Sequence, residues 1–261
     1  MGQSLSNDVA IVTGAGRGIG RGIGLALAAE GAAVAACART KSEINETASL
    51  ISDAGGTAIA FQLDVKDAGA VRAAVDEITG RLGRPTILVN NAGTPGPAGL
   101  DWEVDAHAWF ECIDVIVRGA FLLCQAVVPS MITGGSGRII NVASISGTRA
   151  FPPITATSVA KTALIRFSEG LAGELADHSV TVFAISPGVV RTRLLESYGL
   201  DIPDEWCVGP ERAGALCTQL SSGEYDSLSG RFIDINDDLD DLLKRADAIA
   251  TGELYTLRIQ A

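Results

Sequence analysis

The residues best suited to chemistry begin with a glycine-rich run, Thr13-Gly14-Ala15-Gly16-Arg17-Gly18-Ile19-Gly20. It follows a short apolar stretch and opens a pattern with Ile19, Ile23 and Leu27 four residues apart. The strict G-x-G-x-x-G order does not fit, but G-x-x-x-G-x-G does, at Gly14, Gly18 and Gly20. Glycines in a strand-to-helix turn let the backbone approach a pyrophosphate closely, and the free N–H groups of the helix's first turn add positive potential. A tight turn without a ligand uses the same pattern. Farther along, Ser144 ends Asn141-Val142-Ala143-Ser144; its hydroxyl either orients a substrate oxygen or caps a strand end. Lys161 sits in a later helical pattern. His107 and His178 have no matched Asp and nucleophile, so a hydrolase triad is unsupported. Asp234, Asn236 and Asp238 begin like a calcium loop, but Leu239 stands at the obligatory glycine and Arg245 at the closing glutamate. Five cysteines, an odd number without a C-x-x-C pair, read as reduced thiols rather than a disulfide frame or zinc site. No metal is expected.

Strands and helices must hold these groups. Apolar runs at 9–13, 33–38, 58–63, 86–90, 138–143, 181–185 and 231–235 read as strands. Longer patterns at 68–81, 106–131 and 155–177 read as crossover helices. This alternation predicts an α/β fold whose parallel sheet is covered on both faces. No linker or repeat divides the chain, so one dinucleotide-binding domain over 1–261 is expected, ending in a helical tail at 236–261. In the tail, Leu239, Leu242, Leu243, Ala246 and Ile249 share one face of a helix over 237–249. Asp237, Asp238, Asp240 and Asp241 fall in its first turns and suit its dipole.

Four motifs, in order, resemble the short-chain dehydrogenase/reductase family. Thr13 to Gly20, with Ile19, looks like its T-G-x-x-x-G-I-G signature, and Asn90-Asn91-Ala92-Gly93 looks like its N-N-A-G motif. Asp64, with Val65 beside it, matches its adenine-contacting Asp. Ser186-Pro187-Gly188 with Thr192 looks like its P-G segment, where the Thr contacts the carboxamide. The resemblance covers about residues 8–235 and implies a Rossmann-type three-layer sandwich with a seven-stranded parallel sheet in the order 3-2-1-4-5-6-7. It also implies a nicotinamide cofactor. NAD sites place an acid at the end of the second strand for the ribose hydroxyls. Here that position is Ala38, followed by Arg39, with Arg17 in the glycine loop. Two guanidinium groups suit a 2′-phosphate, so NADP(H) is expected over NAD(H); solvated surface arginines are the alternative.

The family's chemistry resembles a four-part relay of Ser, Tyr, Lys and Asn. Ser144 and Lys161 match. The Ser-to-Tyr spacing of thirteen and the Tyr-to-Lys spacing of four both land on residue 157, which is Thr. The first tyrosine in the chain is Tyr198, so a shift of register cannot restore the motif. Trp109, Gly119 and Phe121 fix the register of the Asn position, which holds Ile116. A phenol near pKa 10 can be tuned toward neutrality, whereas an alkyl hydroxyl is a poor acid and base near neutral pH. Lys161 therefore either binds the ribose or keeps a part in the relay.

Net charge is −11, which argues against nucleic-acid or anionic-membrane partners. The opening MGQSLSNDVAIVTGAG lacks a basic segment before an apolar run, and no uninterrupted apolar stretch reaches a membrane span. A cytoplasmic chain is expected. Phe151-Pro152-Pro153 and the segment 193–208, with Leu194, Leu195, Tyr198, Leu200, Ile202 and Trp206, should line a pocket for a bulky, apolar small molecule. The helices at 106–131 and 155–177 correspond to the resembling family's dimer interface, where residues such as Phe121, Leu164 and Phe167 offer apolar contacts, though some of them must face the sheet; a homodimer or homotetramer is expected. Three readings follow: an NADP(H)-dependent oxidoreductase with an altered relay, a non-redox enzyme (isomerase, dehydratase or cyclase), or a silent cofactor-binding subunit. Fold alone does not choose among them.

Overall fold

Small and branched apolar residues give strands that bury both faces, and these form the middle layer of the protein. The computed structural model describes residues 4–259; the ends of the 1–261 domain assignment lie outside the described residues. The first half runs β1 (Val9–Thr13), α1 (Gly18–Ala29), β2 (Ala33–Ala38), α2 (Lys41–Asp53), β3 (Ala58–Gln62), α3 (Ala68–Leu82) and β4 (Ile87–Asn90). Then come α4 (Ala106–Ile113), a π-helical turn (Asp114–Arg118), α5 (Gly119–Gly134), β5 (Gly137–Val142), α6 (Thr155–Glu174) and β6 (Val180–Ser186). The chain closes with α7 (Arg193–Glu196), α8 (Pro210–Ser221), β7 (Phe232–Asp234), α9 (Leu239–Lys244) and α10 (Ala246–Thr251).

All seven strands pair in parallel in the order β3-β2-β1-β4-β5-β6-β7, the order the resemblance implies. Ala10 and Val12 point to the side of α1, α2 and α8, where Ile23, Leu27, Ile44, Ile51 and Leu220 fill the core. Val9 and Ile11 point to the side of α3 and α5, against Val71, Ile78, Leu123, Val127 and Met131. The strand order reverses between β1 and β4, and in open parallel sheets the crevice outside the carboxyl ends of such strands binds ligands.

Three expectations need correction. The tail is two short helices, α9 and α10, not one. They bend at Arg245, whose N–H is shared between the Asp241 and Leu242 carbonyls. Asp237 lies before this helix, its carboxylate accepting from the Asp234 N–H, and Asp238 is the cap. Leu164 is buried and faces inward, so it is no interface contact. Judged by average rather than uninterrupted apolarity, Ala106–Gly134 is long and apolar enough to cross a membrane, with mean hydropathy 1.9. Its Leu123, Val127 and Met131 are buried against the sheet, as in a core helix.

Candidate active site

The crevice between β1 and β4 is organised by a residue whose role the motif does not reveal. The Thr13 hydroxyl donates to the Val89 carbonyl (3.3 Å) and accepts from the Asn91 and Ala92 N–H groups (both 3.0 Å). The Asn91 side chain donates to the Thr13 carbonyl at 2.8 Å and the Gly14 carbonyl at 3.3 Å. Asn91 therefore braces the glycine loop with its amide, and Ala92 and Gly93 continue past it. Gly14 and Gly18 take left-handed φ values of 64° and 53°, and a Cβ on Gly20 would lie 2.3 Å from the Gly14 carbonyl oxygen. The first turn of α1, with Ile19 and Gly20, has no side-chain cap at Arg17, whereas Asp67 and Asp105 cap α3 and α4. Free N–H groups beside a glycine cradle suit a dinucleotide's pyrophosphate.

On the β2 side of the glycine loop, Arg39 is exposed just beyond the strand. Arg17 pairs with Glu43 at 2.9 Å, and Glu43 also holds Arg193 at 3.3 Å. The sequence reading missed Glu43; its only signal is an acid in the first turn of the helix after Arg39. Asp64 accepts from the Lys66 N–H through Oδ1, and its Oδ2 stands 4.0 Å from the Lys66 ammonium. Val65 is buried beneath Gly119, where a Cβ would sit 2.6 Å from its Cγ2.

At the far end of the cradle, Pro187 and Gly188 follow β6, with Gly188 wedged against Val208 and Ile235. Thr192 accepts from the Leu195 N–H at 3.2 Å, capping α7, and its methyl would stand 3.2 Å from a Cβ on Gly18. Its hydroxyl hydrogen remains available to donate to a carboxamide. Leu194 and Ile116 lie against Gly93. Ile116, which the resemblance puts at the Asn position, is buried inside the π-helical turn.

The chemical groups sit just past β5 and on α6. The Ser144 Oγ accepts from the Ser146 N–H (3.2 Å) and hydroxyl (3.1 Å), which leaves its own hydrogen to donate. The Lys161 ammonium donates to the Val142 carbonyl at 2.5 Å, with two further hydrogens free for ribose hydroxyls. Burial pulls its pKa down to about 8, against a smaller opposing pull from Cys112. Thr157, one helical turn before it, is buried, with 7% of its surface exposed. Its hydroxyl lies 2.5 Å from the phenol oxygen of Tyr198 and 3.7 Å from the Cys112 sulfur. The sequence reading counted Tyr198 only as pocket lining and passed over Cys112. Among the described residues no cluster of acids, histidines and cysteines is placed to hold a metal.

Residues 8–202 match a family model described as short chain dehydrogenase. A short chain dehydrogenase of Pseudocercospora fijiensis is 38% identical over 192 residues, 73% of this chain and 62% of that protein. This chain thus spans less than two thirds of that relative. A 3-oxoacyl-acyl-carrier-protein reductase of Chlamydia muridarum is 30% identical over 245 residues, covering 90% of this chain and 98% of the relative. Among solved structures, a variant of actinorhodin polyketide ketoreductase with NADPH is similar at TM-score 0.83 and 28% identity, over 90% of this chain and 97% of that one.

Proposed function

The chain belongs to the short-chain dehydrogenase/reductase family, and from that premise we propose that it is an NADP(H)-dependent oxidoreductase acting on a carbonyl or alcohol group through an altered proton relay. One observation carries the reading. The segment after β6 lays Thr192 on Gly18 of the cradle and, six residues on, Tyr198 on Thr157. A single loop thus covers both the nucleotide end and the chemical end, as a lid does in a site that excludes water around a reaction.

A bound nicotinamide supplies or accepts a hydride at the substrate carbon. The chain does the rest. The uncapped turn of α1 and Gly14, Gly18 and Gly20 hold the pyrophosphate, and Lys161 holds the ribose. Thr192 donates to the carboxamide, and Ser144 donates to the substrate oxygen. Absence of an acid at Ala38, with Arg39 and Arg17 at hand, supports the 2′-phosphate; a phosphate there competes with Glu43 for Arg17. NADPH in the similar ketoreductase is consistent with this choice. Leu194, Leu195, Leu200, Ile202 and Trp206 favour a bulky, apolar small molecule. Phe110 and Phe121, 62% and 49% exposed on α4 and α5, favour a homodimer or homotetramer. The net charge of −11 disfavours nucleic-acid and anionic-membrane partners, and five cysteines without a C-x-x-C pair favour the cytoplasm.

Titration with NADPH and NADH, followed by addition of a ketone panel while nicotinamide absorbance is read, tests the reading. Tighter NADPH binding and consumption with at least one ketone are expected. A preference for NADH overturns the cofactor assignment, and binding without consumption overturns the redox assignment.

A further inference from the structure

Position 157 carries a hydroxyl too short and too weakly acidic to serve as a proton donor, yet a phenol stands against it. Tyr198 comes from the lid, 41 residues away in sequence. The lid is built to place it. Thr192 caps α7, the Tyr198 N–H donates to the Leu195 carbonyl at 3.2 Å, and Gly199 turns the chain with φ 62° as its N–H reaches the Glu196 carbonyl. The result is a tyrosine ring only 9% exposed, its oxygen 2.5 Å from Thr157 Oγ1. Thr157 is itself buried on α6, and the phenol from the lid meets it hydroxyl to hydroxyl.

The hydrogen bonds behind this pair have a direction. The Cys112 thiol donates to the Thr94 carbonyl at 3.4 Å, so its sulfur is an acceptor toward Thr157. The Thr157 hydroxyl has one hydrogen to share between Cys112 and Tyr198. While Tyr198 is a neutral phenol, either arrangement satisfies the three groups. Once Tyr198 has lost its proton, Thr157 becomes the donor that stabilises the phenolate. Cys112 itself is a poor candidate for the acid, because its thiol hydrogen is committed to the Thr94 carbonyl.

We propose that Tyr198 is the catalytic proton donor of this protein, delivered by the lid in place of the tyrosine missing at position 157, and that Thr157 is its positioning residue. The proposal rests on the oxidoreductase reading above. In reduction, the carbonyl carbon gains a hydride with its electron pair from the reduced nicotinamide, and the carbonyl π pair moves onto oxygen. That oxygen takes the proton of Tyr198, whose O–H bond breaks, leaving a phenolate hydrogen-bonded by Thr157. When the lid opens, a proton from bulk solvent re-forms the phenol O–H bond, so the cycle consumes one proton with each hydride. Burial pushes the phenol above its ordinary pKa of 10, opposed by the Thr157 hydrogen bond, so the acid form is the populated one at neutral pH.

Cyclohexanone, 1-tetralone and ethyl acetoacetate serve as probes with NADPH and the full chain. Y198F keeps the ring and removes only the acid. It is expected to lower kcat by about a hundredfold or more, the usual worth of a general acid, with KM and NADPH affinity within about threefold of wild type. T157V, the second variant, is expected to lower kcat by about tenfold. It should also move the phenolate absorbance seen in wild type but absent in Y198F to higher pH, a shift that simple loss of packing does not produce. If Y198F turns over within about threefold of wild type, Tyr198 is only a space-filling ring and the proposal falls while the oxidoreductase reading stands. If wild type binds NADPH but reduces none of the ketones, the oxidoreductase reading falls and takes the proposal with it.

Discussion

The two ends of the site are made of different materials. At the nucleotide end the shape is backbone: glycine φ values, amides of the first turn of α1, and a loop braced by Thr13 and Asn91. At the chemical end the parts are side chains from distant segments: Cys112 from α4, Ser144 after β5, Thr157 and Lys161 from α6, and Tyr198 from the lid. A backbone cradle accepts no added Cβ, so it has one solution. A cluster of side chains can lose a group at one position and admit an equivalent group from another, as long as volume and hydrogen bonds are met. The comparison accounts for cofactor motifs that follow the family's pattern beside the proposed relay, which departs from it at Thr157 and Ile116.

Substitutions at each end can break or sharpen this contrast. The largest effect is expected at Gly20. Gly20→Val places a Cβ 2.3 Å from the Gly14 carbonyl, and NADPH affinity should fall by more than about a hundredfold in a fluorescence titration. Lys161→Ala removes charged hydrogen bonds to the ribose and should weaken NADPH by about tenfold to a hundredfold. In wild type the same side chain sets a pH dependence. Below pH about 8 the ammonium is charged and binds; as pH rises through about 8 it becomes neutral, so affinity should fall across that range and stay flat in Lys161→Ala.

Thr157→Tyr distinguishes an exchangeable chemical end from a fixed one. The space its ring needs is shared with Tyr198, so the single variant should lose about tenfold in turnover. Adding Tyr198→Ala makes room, and the double variant should turn over faster than either single one, a strongly non-additive cycle. The smallest effects lie at the 2′ position. Arg39→Ala should weaken NADPH by about fivefold and leave NADH unchanged, and Glu43→Gln should tighten NADPH by about threefold by freeing Arg17.

The fold was legible because strands 9–13, 33–38 and 181–185 are near-continuous apolar runs too short to be surface helices. The motifs at Gly14–Gly20, Asn90–Gly93 and Pro187–Gly188 sit at the ends of β1, β4 and β6. Helices α2 and α8 escaped because their apolar faces are narrow: Ile44, Thr47 and Ile51 alone bury α2. The tail read as one helix because its leucine spacing survives the bend at Arg245. At the site, periodicity and motif register placed Ser144, Thr157 and Lys161 but gave Tyr198 only as pocket lining. A contact between residues 41 positions apart depends on how the lid folds back over the sheet, and no local pattern encodes that. The one available signal was chemical: a relay without its tyrosine, and a single tyrosine in the segment expected to cover it.

The central claim, that an ordinary nucleotide site and a rebuilt relay together perform hydride transfer, is tested most directly by isotope. The full chain is incubated with NADPH deuterated at the transferable position of the nicotinamide and with 1-tetralone, and the product alcohol is read by mass spectrometry. The account predicts deuterium on the carbinol carbon in wild type and its near loss in Y198F. Tight NADPH binding with no deuterium in any product, across the same ketone panel, would contradict it.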